Sequence, residues 1–213
     1  VVPNFASNSI ALRHGDRTTM ISPGAPLLAP WLALHPDTTA PLDLLMPNAY
    51  HYLGVATWQA AFTQVRLFAS AKAIPRLTGK GLHGIRPVET ALPALPEGYD
   101  LLIPPGHRGG DVWLRKRFEG GCLWITCDSF QAYERYSNQP IARALQKLLG
   151  TAPGLKMSQV VKWLLLDDRP AFKRWLLERA REDRPTLLIP SHGEILQDAA
   201  LAEQLIELVE RRL

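Results

Sequence analysis

The sequence of 213 residues has only two cysteines, Cys122 and Cys127, so no disulfide framework can staple it. In the strand-like run Cys122-Leu-Trp-Ile-Thr-Cys127 they are an odd number of residues apart. That spacing sends them to opposite faces and keeps them from pairing with each other. Long apolar runs are also missing. Leu27–Leu34 holds Pro30 and falls far short of the roughly 18 residues a membrane span needs. The opening Val1-Val2-Pro3-Asn4-Phe5 has no basic n-region and no apolar h-region, so no signal peptide is visible. Gly106–Gly110 carries three glycines without the dinucleotide-binding spacing, and Pro190-Ser191-His192 lacks the Gly-x-Ser-x-Gly elbow of serine hydrolases. Although the net charge is +4, no run interleaves Lys or Arg with aromatics, and acids stand among many of the cations. Such a surface is a solvated one rather than a nucleic-acid interface. The expectation is one globular domain over 1–213, cytoplasmic, with neither a nucleic-acid nor a membrane partner.

What is present is an ordinary globular balance, with strands and helices that alternate but include hairpins. Ser9–Arg13 and Thr18–Ser22 flank a Gly/Asp turn and read as the first hairpin. The stretch with Pro23, Pro26, Pro30, Pro36 and Pro41 reads as loop. Asp43–Met46 suits a buried strand, Val55–Phe62 a helix, Val65–Phe68 a strand, and Pro87–Pro96 a loop. Asp100–Ile103 is a strand, and Val112–Phe118 with Cys122–Cys127 makes a second hairpin around Gly120-Gly121. From Asn138 onward the texture turns helical: Pro140–Leu149 ending at Gly150, then Ser158–Leu166, then a helix from near Asp168 with Pro170 in its first turn. Thr186–Ile189 is a short strand, and Asp198 is expected to cap a final helix over 199–213. Two mixed sheets with helices outside fit this order better than a doubly wound parallel sheet.

Three of the six histidines follow strands: His51, His107 and His192. Asp128 also ends one. Strand ends are where loops converge and ligand sites collect, and three imidazoles with one carboxylate suit zinc, iron or manganese. His14, His35 and His83 sit in turns and loops and read as solvated.

Gly106-His107-Arg108-Gly109-Gly110, Thr126-Cys127-Asp128-Ser129 and Pro190-Ser191-His192-Gly193-Glu194, in that order, resemble the third, fourth and fifth motifs of the metallo-β-lactamase superfamily. The hairpin from Asn8-Ser9-Ile10 to Ile21-Ser22-Pro23-Gly24 is similar to that family's first strands and first motif. The resemblance implies an α/β fold, a four-layer αββα sandwich with a mono- or dinuclear metal site at one edge. Pro47-Asn48-Ala49-Tyr50-His51, Trp58 and the late Ile189–Gly193 look most like the uncharacterised DUF4336-like branch.

The chain departs from the family at its second motif. Where His-x-His-x-Asp-His is usual stands Met46-Pro47-Asn48-Ala49-Tyr50-His51, and only His51 survives. Met46 and Asn48 take the place of two imidazoles, Tyr50 that of a carboxylate, and Ser22 that of the first motif's acid. Carried over, the resemblance leaves His107 alone at the first metal site. It leaves His51 and His192 at the second, with Asp128 between the two. Thioether and amide are weak donors, so two metals are not expected. One metal on His51, Asp128 and His192, with His107 beside it, retains three good ligands. An empty pocket is the alternative, with the histidines hydrogen-bonded to Asp128 and Tyr50. Two functional readings follow. One is a mononuclear, metal-dependent hydrolase of a small molecule, with Asp128 and Tyr50 in catalytic roles and Arg108 or Tyr50 holding a developing oxyanion. The other is a metal-free, repurposed binding or interaction member of the same fold.

Overall fold

The computed structural model describes residues 7–213, so the signal-peptide reading of residues 1–5 lies outside the described residues. These residues fall into two compact units, Ser9–Glu97 with Gly109–Val112, and Gly98–Arg108 with Trp113–Leu213, the latter joined by residues 7–8.

In the first unit, β1 (Ile10–His14) and β2 (Arg17–Ile21) form the expected antiparallel hairpin, with His14 opposite Arg17 across Gly15-Asp16. The proline-rich stretch is not loop throughout. A 3₁₀ turn, Ala25–Leu27, leads into α1 (Leu28–Leu34). Pro30 falls in the first turn of α1, where a backbone N–H has no partner within the helix, so the proline costs the helix nothing. Then come β3 (Leu42–Leu45), α2 (Val55–Ala61), β4 (Val65–Ala69), α3 (Ile74–Thr78) and β5 (Ile85–Pro87). The sheet order is β1-β2-β3-β4-β5, and β2 to β5 run parallel. All four residues of β3 are buried, which is what a central strand covered on both faces requires. Leu42, Leu44, Met46, Trp58, Leu67 and Leu77 belong to one apolar cluster, and the Trp58 indole donates to Gly24 O at 3.0 Å. Asp43 is wholly buried on β3. It accepts from Arg17 Nη1 at 3.0 Å, Arg66 Nε and Nη2 at 2.7 and 2.6 Å, and Ala94 N at 2.8 Å.

The second unit contains β6 (Tyr99–Leu102), β7 (Trp113–Phe118), β8 (Gly121–Ile125), β9 (Gln131–Tyr133), α4 (Pro140–Leu149) and β10 (Gly154–Lys156). It continues through a π-helical turn (Val161–Leu165), α5 (Arg169–Asp183), β11 (Leu187–Ile189), β12 (His192–Gly193), β13 (Leu196–Gln197) and α6 (Leu201–Arg212). One sheet runs β13-β11-β8-β7-β6, mixed in direction, and a smaller one runs β10-β9-β12. Gly150 takes φ 63° as the left-handed cap of α4, and Asp168 caps α5 by accepting from Ala171 N at 3.0 Å. Asp198 does not cap α6; Ala200 holds that position. The Asp198 carboxylate instead accepts from Ala200 N at 2.8 Å and Gln204 Nε2 at 2.7 Å, bracing the turn ahead of the helix. The expected helix at 158–166 is a continuous helical stretch over 159–165 that passes from α into the π-helical turn. Cys122 and Cys127 are both buried and free, and burial pushes the Cys122 thiol up to about 11.

Trp113 is the centre of this core, with ring centres 5.6 Å from Trp124, 5.8 Å from Phe130 and 5.3 Å from Trp175. Asp183, buried at the end of α5, accepts from Arg115 Nη1 at 3.0 Å, Arg117 Nη2 at 2.6 Å and Trp124 Nε1 at 3.2 Å. It joins β7, β8 and α5. Removing one partner of a buried ion pair leaves the other charge stranded. Asp183→Ala is therefore expected to cost about 3 kcal/mol in urea unfolding, the low end for such pairs, because Arg115 keeps Asp100 and Arg117 reaches water. Gly193, at φ 95°, lies so close to Ala132 that a Cβ there would overlap the Ala132 carbonyl. Gly193→Ala is expected to lose about 2 kcal/mol by the same measurement and to weaken the β9–β12 pairing.

Candidate metal centre

His51 follows β3 through the turn Pro47–Tyr50, and one side chain shapes that turn. Asn48 is buried. Its Oδ1 accepts from Tyr50 N at 2.8 Å and His51 N at 3.2 Å, and its Nδ2 donates to the buried Asp111 Oδ1 at 3.0 Å. Asn48 thus serves as a brace for this turn. Met46 is packed in the apolar cluster. The His51 ring is held from behind, with Nδ1 2.7 Å from Ser22 Oγ. Ser22 adopts φ 53°, a left-handed conformation uncommon for a residue with a side chain. With Nδ1 engaged by Ser22, Nε2 is the nitrogen that would ligate a metal; a partner on the far nitrogen fixes ring orientation and tautomer.

Asp128 follows β8, and His192 forms β12 with Gly193. His192 Nε2 is 3.1 Å from Asp128 Oδ1. Because β12 pairs in parallel with β9, His192 lies in register with Gln131 and Gly193 with Ala132. In-register neighbours share a sheet face, so Gln131 and Tyr133, two residues apart on β9, face the same way as His192. Gln131 Oε1 is buried without a hydrogen-bond partner among the described residues. Burial, and then the nearby Asp128 carboxylate, push the Tyr133 phenol upward, so it stays a neutral hydroxyl. Asn8 fastens this corner, with Nδ2 donating to Pro190 O at 2.7 Å and Gly193 O at 2.9 Å.

Asp128 and His192, both in the second unit, bring a carboxylate and an imidazole together, a donor group of the kind that holds a metal ion. The donor set fits. Two ligands bonded to one zinc at about 2.0–2.1 Å and a near-tetrahedral angle stand about 3.3 Å apart. The 3.1 Å between His192 and Asp128 needs little change. His107 is not part of that group. It is buried, its backbone bridges to Leu166, and its ring centre lies 6.4 Å from that of Phe172. Arg108 donates its backbone N–H to Leu165 O at 2.6 Å and leaves its side chain exposed. Tyr50 is half-buried under the Arg76 guanidinium, 4.7 Å above its ring. Sequence reading did not single out Gln131, Tyr133, Asp111 or the Ser22–His51 bond. Gln131 and Tyr133 sit on a strand too short to show a pattern, and Asp111 looks like any polar residue after Gly109-Gly110.

No protein-family model matches the sequence, and no curated protein matches it. Solved structures do match. A metallo-β-lactamase from Pseudomonas aeruginosa, FIM-1 in its mono-zinc form, superposes with a TM-score of 0.60 at 18% identity, covering 96% of this chain and 84% of that one. The chemotaxis sensor ODP, in a peroxy diiron state, gives 0.62 at 13% identity over 98% and 88%. A metallo-β-lactamase from Erythrobacter litoralis gives 0.60 at 16% identity over 96% and 85%. At these identities the likeness speaks for the architecture, which is the mixed α/β metallo-β-lactamase fold.

Proposed function

We propose that the chain is a divergent member of the metallo-β-lactamase superfamily, of the DUF4336-like pattern, whose reduced site holds one divalent metal on His51, Asp128 and His192. It acts as one domain in the cytoplasm on a small molecule. The observation that carries this reading is the approach of His192 Nε2 to Asp128 Oδ1 at 3.1 Å, two good metal donors side by side. Two imidazoles and a carboxylate with a further position open favour zinc over iron or manganese. Bound there, the ion would supply Lewis acidity and acidify water for hydrolysis. The chain's own residues do the rest. Ser22 orients His51, Asp128 pairs with His192 and can accept a proton, and Arg108 and Tyr50 can donate to a developing oxyanion. A second ion finds no set of its own, since Met46 is in the core and Asn48 is spent on Asp111 and the turn. His107 then supports the site as a neighbour. The metal-free reading draws on the same His192–Asp128 pair, which is a complete hydrogen bond in its own right.

Metal analysis of protein purified without added metal or chelator, followed by zinc, manganese and iron(II) titration, separates the readings. About one equivalent is expected, with His192→Ala losing more affinity than His107→Ala, whose loss should stay within the roughly 10–100-fold of an outer-shell change. Equal losses would contradict the ligand assignment, two equivalents the single-metal site, and no binding would leave the metal-free reading. β-Lactam and thioester hydrolysis should be weak or absent, because Tyr50, a phenol titrating near about 10, replaces the carboxylate that would orient water.

A further inference from the structure

The first unit holds a pocket of about 260 Å³ that shares no residue with the candidate metal centre. Arg13 lines it from β1, Trp31 and His35 from the end of α1, and Asp37 from the loop between α1 and β3. The buried Leu42 and Phe62 complete its apolar part. Pockets for drug-sized molecules begin at roughly 300 Å³, so this one suits something smaller. His35, which the sequence suggested was solvated, is half-buried. Its ring lies against the Trp31 indole with ring centres 4.2 Å apart, and its backbone N–H donates to Trp31 O at 2.8 Å. Its Nδ1 lies 3.3 Å from Arg13 Nη2. A guanidinium only donates, so Nδ1 accepts and the imidazole proton sits on Nε2. One ring thus ties the guanidinium to the aromatic wall.

The two charged residues of the pocket do not use each other. Among the described residues, Arg13 has no carboxylate partner and Asp37 no cationic one. Asp37 Oδ1 accepts from Thr39 N at 2.8 Å and Thr39 Oγ1 at 2.6 Å, which fixes the carboxylate. Those bonds, the hydroxyl's first, hold its carboxyl below the usual range. A simple apolar acid would meet Asp37 with a charge of its own sign, and a simple amine would meet Arg13 in the same way. A ligand that joins both charges to an apolar body answers every part of the pocket. We propose that it binds a free α-amino acid with an aromatic side chain, the carboxylate on Arg13 and His35 Nε2, the ammonium on Asp37, and the ring among Trp31, Leu42 and Phe62. A guanidinium fork suits a carboxylate, and aromatic rings pack well in offset or edge-on contact. This site goes beyond the hydrolase reading and needs no metal.

Titration of the full chain with L-phenylalanine, followed by amide and indole NMR shifts, tests this. Saturable shifts are expected at Trp31, His35 and Thr39, with a dissociation constant on the order of 1 mM, the same with and without chelator. Phenylpropionate, which lacks the ammonium, and phenethylamine, which lacks the carboxylate, should each bind about fivefold or more weaker. Arg13→Gln should weaken phenylalanine and phenylpropionate by a similar factor and leave phenethylamine unchanged, and Asp37→Asn should weaken phenylalanine and phenethylamine but not phenylpropionate. Both side chains are exposed, so circular dichroism should show both variants folded. Absence of saturable shifts in the wild type overturns the proposal, as does phenylalanine binding unaltered by Arg13→Gln. Phenylpropionate or phenethylamine binding as tightly as phenylalanine would assign the pocket to a singly charged ligand, and binding abolished by chelator would assign it to a metal. Either also overturns it.

Discussion

A carboxylate taken out of water must be given donors, and both units are organised around that demand. Asp43 on β3 cannot be buried unless Arg17, Arg66 and the backbone at Ala94 converge on it, which ties β2, β3, β4 and the loop before β6 into one arrangement. The guanidinium of Arg66 is held above its ordinary range by the same contact. Asp183 does the equivalent for β7, β8 and α5, gathering two arginines and an indole. Well-packed apolar groups would be as stable in either place. What the charges add is specificity, since a shifted register would leave a buried charge without its donors.

The candidate centre depends on the same kind of saturation at smaller scale. Asn48 satisfies two backbone donors and reaches buried Asp111, which fixes the turn that carries His51. Ser22 accepts an unusual backbone conformation and places its hydroxyl on the His51 ring. Gly193 permits β12 to approach β9, and that approach sets His192 beside Gln131. Asn48 and Ser22 act here as supports for the turn and the ring of His51. The Met46 thioether fills the core while the Asn48 amide closes the turn.

Elements with strong local signals were legible in the sequence. The two hairpins, the central strand ending at Pro47, the capped helices α4 and α5, and the final amphipathic helix α6 lie close to where periodicity and turn residues put them. The errors share a cause. The proline-rich segment folds into α1 because Pro30 lands in a first turn, a matter of one or two residues of phase. β5, β9, β10, β12 and β13 are only two or three residues long, and what makes them strands is a partner far away in the chain.

By itself the sequence determined the mixed α/β class and where its candidate ligand residues fall along the chain. Its alternation of hairpins and helices, and the order of its histidine and aspartate motifs, are local properties that chemistry and spacing express directly. Tertiary structure alone decided which of those residues meet. Asp128 and His192 are far apart in the chain, and only the long-range pairing of β12 with β9 and of β11 with β8 sets them side by side, while His107 bridges its backbone to Leu166. It also decided that the aliphatic row of α4, Ile141, Leu145 and Leu148, faces outward. A helix's periodicity reveals that it has an apolar face but not what that face meets, because this depends on the packing of every other element.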